Sequence, residues 1–285
     1  MMPALPVFAT LKEAFSLLHA NRTSLARWAV VPVLLAVAFA AIAYGWSATT
    51  PPLLPGFFWW FGMALLAVGQ SMSLGRTVLI MAALWVSFAV YLIVCLAVWA
   101  PFSIRIFQLA AAGEAAATGH RRTLASPIGI RFAAHVFLLM YVLLAGLQLA
   151  ALPSSLWAEL GRHEHFWRIL DVGMLCLPVV LLWFFCAGMS FFWLRLAPIA
   201  LGRQETFSRL WAASAGSRHR LGGLTLLFTV PCMAMPVLGG PALSSGPPAA
   251  HWYYPASFFV FIVFLGIVSA LASAVFGLAY RRLRL

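Results

Sequence analysis

Six long apolar stretches that carry no charged side chain constrain this chain more than any other feature. They cover residues 28–46, 78–99, 132–152, 172–194, 221–238 and 256–279. All 18 Lys and Arg residues and all six Asp and Glu residues lie outside them. A helix needs about 20 apolar residues to cross about 30 Å of hydrocarbon, and continuous rather than alternating apolar runs indicate helices instead of barrel strands. The sequence therefore predicts an all-α integral membrane protein, a bundle of six transmembrane helices in a single domain, 1–285.

The composition excludes a soluble fold. Hydrophobic residues make up 64% of the chain and charged residues only 8%. A soluble domain has about a quarter of its residues charged, so this chain cannot cover a water-facing surface. The net charge of +12 would raise nucleic acid as a partner, but membrane topology explains the basic residues better. No nucleic-acid partner is predicted.

The basic residues also predict the orientation. Fifteen of the 18 lie in alternate segments that include both termini, and only Arg76, Arg162 and Arg168 lie in the segments between. By the positive-inside rule both termini are cytoplasmic. A further apolar run, 57–69, has only 13 residues and is interpreted as interfacial or re-entrant. If it spanned the membrane instead, the charge bias would largely vanish, which favours six spans.

Three amphipathic segments predict helices that lie in the inner membrane interface. In the first, Phe8, Leu11, Phe15 and Leu18 recur at helical spacing. The second, 104–109, has a less regular pattern. The third combines Phe207, Leu210 and Trp211 with nearby basic residues.

Two arginine pairs are candidates for binding anionic phospholipid headgroups on the cytoplasmic face. They are Arg121 and Arg122, and Arg218 and Arg220, which stand shortly before predicted spans. The simpler alternative is that these residues only determine topology.

Candidate chemistry in the sequence is sparse. His163, Glu164 and His165 could bind a divalent metal, but His residues at i and i+2 lie on different faces of a helix, and a solvated loop is the preferred interpretation. His135 is the only histidine within a predicted span, and no Asp, Glu, Lys or Arg lies in any of them. This suggests an interfacial or hydrogen-bonded histidine or, less favoured, a proton-handling one. No nucleotide-binding or hydrolase motif occurs. No catalytic residue and no cofactor is predicted.

Two further features concern helix geometry. Pro231 and Pro236 interrupt the predicted span 221–238 and are candidates for gating or, more simply, for ordinary kinks. The last span carries Gly266, Ala270 and Ala274 at four-residue intervals. Small residues let helices approach closely. The approaching helix would belong to the same chain, to a membrane protein partner or to a second copy of the chain in a homodimer.

Short motifs resemble a known protein group. The run Arg105-Ile106-Phe107-Gln108-Leu109 followed by Gly113-Glu114, and the stretch from Leu194 to Leu221, are similar to elements of an uncharacterised proteobacterial multi-pass inner-membrane protein family. The second stretch is also similar to the membrane domain fused to some glycerophosphoryl diester phosphodiesterases. The resemblance implies about six spans and residence in a bacterial inner membrane, and implies no activity.

Three functional hypotheses remain. The absence of charge in the spans and the basic inner rim favour a membrane-embedded accessory or organising protein that acts through helix and lipid contacts. The alternative is a transporter, flippase or channel for a small or lipidic solute. A membrane enzyme that uses the His163–His165 loop is a third and weaker hypothesis.

Overall fold

The computed structural model describes residues 5–49, 74–118, 126–142, 168–228 and 253–283. About 93% of these residues are helical, and none of them forms a strand. The predicted all-α class is therefore confirmed for this part of the chain.

The helices follow one another along the chain with short connections where both ends are described. They are α1 Val7–Ala20, α2 Arg22–Thr49, α3 Leu74–Ala112, α4 Glu114–Thr118, α5 Pro127–Val142, α6 Arg168–Leu201, α7 Phe207–Ser214, α8 218–228 and α9 Tyr253–Arg282. A 3₁₀ turn, Ala215–Ser217, joins α7 to α8.

Three helices contain segments long and apolar enough to cross a membrane. These segments are Cys95–Ala112 in α3, Val180–Leu201 in α6 and Val263–Arg282 in α9. These three helices support the membrane helical class. The segments in α6 and α9 overlap most of the predicted spans 172–194 and 256–279, whereas the segment in α3 shares only residues 95–99 with the predicted span 78–99. The predicted spans 132–152 and 221–238 are described only as far as residues 142 and 228, and the run 57–69 lies outside the described residues.

Helices α3 and α9 pack side by side and run in the same direction. A Cβ atom added at Gly277 would lie 2.7 Å from Ala110 Cβ, and one at Gly266 would lie 2.3 Å from the Trp99 ring. The hydroxyl oxygens of Ser103 and Ser269 are 2.6 Å apart and form a hydrogen bond between the same two helices. Glycine therefore allows a close approach that any side chain would prevent.

The end of α3 corrects one prediction. Segment 104–109 is not a separate interfacial helix, because α3 continues past Pro101 to Ala112 without a break. Ile104, Ile106 and Phe107 are all at most 1% exposed, and Gln108 Nε2 donates to the Ala200 carbonyl oxygen of α6 at 2.7 Å. A segment that is apolar on nearly all sides is buried by neighbouring helices, which explains its irregular pattern.

Both ends of the described chain meet at one end of the bundle. Glu13 of α1 forms ion pairs with Arg281 and Arg282 at the end of α9. Arg282 also donates to the Thr10 hydroxyl at 3.0 Å. Nearby, Arg220 at the start of α8 donates to the Leu5 carbonyl oxygen at 2.8 Å. The first and last described segments are therefore tied to each other.

Other helices reach the same end. The guanidinium of Arg105 lies 5.7 Å from the ring centre of Trp28, which joins the end of α3 to the start of α2. Phe107 and Phe132 are in edge-to-face contact at 5.8 Å, which joins α3 to the start of α5. We call this the basic end: the starts of α2, α5 and α8, the ends of α3, α6 and α9, and α1.

Candidate functional site

A polar concave site at the basic end is a cavity of about 590 Å³ between α5, α6 and the connection to α7. Its charged and titratable lining residues are Arg131, His135, Arg195, Arg203 and Glu205. We call it the basic cavity. Sequence analysis named none of its three arginines as a binding residue. It used all three as markers of topology, Arg195 also in the motif resemblance and Arg203 also as a basic residue of the third amphipathic segment.

The start of α5 positions two of these side chains. The Ser126 hydroxyl accepts a hydrogen bond from the Gly129 backbone N–H at 3.0 Å, and Pro127 occupies the first turn. A Ser cap followed by proline is a favourable helix start, because both compensate for backbone groups that lack partners inside the helix. His135 follows Arg131 by four residues and therefore lies on the same face of α5.

The histidine is held by a backbone contact. His135 Nδ1 lies 3.0 Å from the Arg131 carbonyl oxygen. Because a carbonyl oxygen only accepts, Nδ1 carries the proton and donates it. Nε2 is therefore the nitrogen left for other contacts. The sequence interpretation of His135 as a hydrogen-bonded histidine is confirmed.

The end of α6 positions the other side of the cavity. Gly202 has φ +76°, the Gly202 N–H donates to the Ile199 carbonyl oxygen at 3.0 Å, and the Arg203 N–H donates to that of Pro198 at 2.8 Å. This pair of bonds defines a Schellman motif, which ends a helix through a left-handed residue. The chain consequently turns at Gly202, and residues 203–206 form part of the cavity wall.

The cavity has an excess of positive charge. Its one carboxylate, Glu205, is paired with Arg209 at 3.0 Å. Among the residues that the structure describes, Arg131, Arg195 and Arg203 have no carboxylate within ion-pair distance. A concave wall with unpaired charge of one sign concentrates the field, and this one therefore attracts anions.

The wall of the basic cavity is also partly apolar. Ile128, Ile199 and Phe207 line it together with the arginines. Phe207 further packs against Phe191 of α6, with ring centres 4.2 Å apart, and Phe191 contacts Trp211 at 5.3 Å. These contacts fix α7 against α6. They also place an aromatic surface beside the basic cavity.

The predicted headgroup arginines within the described ranges make contacts inside the chain. Arg218 stacks on Trp211, with its guanidinium 3.6 Å from the ring centre, and donates to the Trp211 carbonyl oxygen at 3.0 Å. Arg220 binds Leu5 as described above. Both residues therefore connect α7 and the N-terminal segment to α8, and a role in lipid binding stays a prediction.

Several sequence candidates lie outside the described residues. These are Arg121, Arg122, His163, Glu164, His165, Pro231 and Pro236. The described part of the chain contains no group of three or more His, Cys, Asp or Glu side chains placed to hold a metal ion. Gly266 and Ala274 are buried within the chain, and homodimerisation through this stripe stays a prediction.

The chain matches no family model, and no curated protein and no solved structure is significantly similar to it. The resemblance to the inner-membrane family therefore stays a prediction.

Proposed function

We propose that this protein is a membrane-embedded accessory or organising protein that binds anionic phospholipid headgroups in the basic cavity. The observation that carries the proposal is the presence in one concave site of three arginines that lack a carboxylate partner among the described residues. Guanidinium groups bind phosphate oxygens with paired hydrogen bonds, which makes arginine the preferred residue for phosphate recognition. The cavity volume of about 590 Å³ is within the usual range for ligand sites, about 300–1,000 Å³.

A lipid phosphate fits the cavity better than a free phosphate does. The arginines would contact the phosphate, while Ile128 and Phe207 would contact the less polar part of the same molecule. Phe8 and Phe15 of α1 support a membrane surface at this end, because both are mainly exposed, Phe8 at 88%. An amphipathic helix with exposed aromatic side chains is typical of the membrane interface.

The same proposal includes six spans in a bacterial inner membrane with both termini cytoplasmic. The described helices alternate in direction, with α2, α5 and α8 starting at the basic end and α3, α6 and α9 ending there. Among the described basic residues, only Arg76 and Arg168 lie at the opposite ends of their helices. Cytoplasmic segments are enriched in Lys and Arg, and the cytoplasmic leaflet carries anionic lipid, so this arrangement supports an inward-facing basic end.

The test is a binding measurement on the purified, detergent-solubilised protein. Short-chain phosphatidylglycerol, short-chain phosphatidylcholine and inorganic phosphate are titrated separately. We expect phosphatidylglycerol to bind most tightly. Changing Arg131, Arg195 and Arg203 together to Gln should weaken it at least about 100-fold, because each charge-assisted hydrogen bond contributes about 1.5–3 kcal/mol.

The matched control changes Lys12, Arg22 and Arg27 to Gln, which removes the same charge from the same end of the bundle. An equal loss of phosphatidylglycerol affinity in both triple variants would show only general electrostatic attraction and would contradict a specific site. Equal affinity for inorganic phosphate would assign the cavity to a soluble phosphate ligand. Rapid transfer of phosphatidylglycerol between leaflets of reconstituted vesicles would instead favour the transporter, flippase or channel alternative.

A further inference from the structure

A second, smaller cavity of about 110 Å³ lies between α3, α5, α6 and α9. We call it the inner cavity. Its lining is apolar apart from two tryptophans, Trp99 and Trp193, and three serines, Ser103, Ser269 and Ser273. Two of the serine hydroxyls already bond to each other. No function considered above uses this space.

Two hydrogen-bond donors on the inner cavity lack an acceptor. The Nε1 atoms of Trp99 and Trp193 are both buried and have no partner among the described residues, and the two side chains are only 7% and 8% exposed. An indole N–H can donate but cannot accept. Buried donors in native proteins nearly always have an acceptor, and an exception calls for an explanation such as a bound molecule.

The level of the inner cavity indicates what that molecule is. On each of α3, α5 and α6, the lining residue closest to the basic end lies within two positions of an arginine. These arginines are Arg105, Arg131 and Arg195, respectively. At 1.5 Å per residue, the lining extends from the level of Arg105 to Leu96, about 14 Å further into the bundle. If the arginines mark the headgroup level, this is the depth of the glycerol backbone and the first acyl carbons. Ester carbonyls are the acceptors that lipids carry there.

We propose that the inner cavity binds the carbonyl end of an acyl chain from an esterified lipid. The unpartnered indole N–H groups of Trp99 and Trp193 are the donors available to the ester carbonyl oxygen, and either of them can donate to it. Size agrees with this assignment: an engineered apolar cavity of about 150 Å³ admits benzene, so about 110 Å³ accommodates the carbonyl and a few methylene groups.

The rest of the acyl chain, beyond the part in the inner cavity, has a route out of the helix bundle. Val136 and Met140 of α5, and Leu265 and Val268 of α9, line the cavity and are half-buried rather than buried. The longer part of an acyl chain would therefore lie between α5 and α9, toward the surrounding lipid. The depth argument rests on the proposed function, which places the arginines at the headgroup level, whereas recognition of the ester itself needs no negative charge.

The experiment compares two uncharged probes on the delipidated, detergent-solubilised full chain. Methyl decanoate carries the ester carbonyl, and undecane has a similar chain length without it. Binding is measured as the concentration-dependent rise in the thermal unfolding midpoint. We expect the ester to bind at least about ten-fold more tightly than the alkane, and at least one of Trp99→Phe and Trp193→Phe to weaken ester binding about five-fold.

Trp28→Phe is the matched control, because Trp28 lies under Arg105 and does not line the inner cavity. Ala272→Val is a second variant that leaves both indoles in place and fills part of the space; it should lower ester and alkane binding alike. The comparison of ester and alkane on the unmodified protein needs no variant to fold.

Several outcomes would overturn the proposal. Equal affinity for ester and alkane would remove carbonyl recognition, and an unchanged ester preference in the Trp99→Phe/Trp193→Phe double variant would remove the indole donors. Tighter binding of decanoate than of its methyl ester would contradict an esterified lipid. Loss of phosphatidylglycerol binding in the arginine variants is a separate measurement, so the two proposals can fail independently.

Discussion

Gly202 determines where α6 ends, and its backbone shows why the residue type matters. Its φ of +76° lies in the left-handed region, which glycine adopts readily and other L-residues adopt at a cost of about 1–2 kcal/mol. The turn that follows brings Arg203 and Glu205 to the basic cavity. A glycine after the last apolar turn is a recognisable helix stop in sequence, so this element of the site could have been predicted.

Gly202→Ala should therefore destabilise the protein by about 1 kcal/mol or more. Gly188→Ala is the control, because Gly188 lies inside α6 and a Cβ there would meet no atom within 4 Å. That variant should be neutral or slightly stabilising, since alanine favours helix. Thermal unfolding of the detergent-solubilised variants measures both. Equal stability of the two variants would contradict the role assigned to the Gly202 turn.

Glu13 is the residue that ties the two ends of the chain together. Its carboxylate is 33% exposed and pairs with Arg281 and Arg282, which are 48% and 29% exposed. Because solvent screens such pairs, Glu13→Gln should lower the free energy of unfolding by only about 1 kcal/mol or less. The loss should shrink as salt is added.

The Glu13 effect can be measured as a double-variant cycle with Arg282→Gln. The two substitutions together should cost less than the sum of their separate costs, because each removes the same ion pair. Lys12→Gln, next to Glu13 but exposed, is the control. Strict additivity between Glu13→Gln and Arg282→Gln would contradict the ion pair.

At the scale of elements, α3 and α9 form the closest described helix pair. Sequence analysis expected small residues in the last span to allow close packing, and Gly266 and Gly277 do so. It also ended the predicted span at Trp99. It could not foresee that α3 would continue to Ala112, since the burial of 104–109 depends on contacts with α6 and α9 that are distant in sequence.

Gly277→Ala tests that packing. Its new Cβ would lie 2.7 Å from Ala110 Cβ, which is closer than atoms tolerate, so we expect a cost of about 1–3 kcal/mol. Gly188→Ala again serves as the control for the intrinsic preference of alanine in a helix. A Gly277→Ala variant as stable as the control would show that α3 and α9 are farther apart than described.

For the whole molecule, the helical class and the collection of charge at one end could be predicted from sequence. Charge-free apolar stretches fix the class, and the alternation of basic segments agrees with the ion pairs that join Glu13 to Arg281 and Arg282. The basic cavity could not be predicted, because Arg131, Arg195 and Arg203 are separated by up to 72 residues along the chain. Only the packing of α5 against α6 brings them together.

The central claim is that the basic end faces the cell interior, where anionic lipid is available to its arginines. Cysteine accessibility in intact cells tests this most directly, after Cys95, Cys176, Cys186 and Cys232 are changed to Ala. Gln204→Cys places a thiol at the basic cavity, and Ser155→Cys places one in a segment predicted to be external. A membrane-impermeant maleimide should label only Ser155→Cys until the cells are permeabilised, whereas labelling of Gln204→Cys in intact cells would contradict the account.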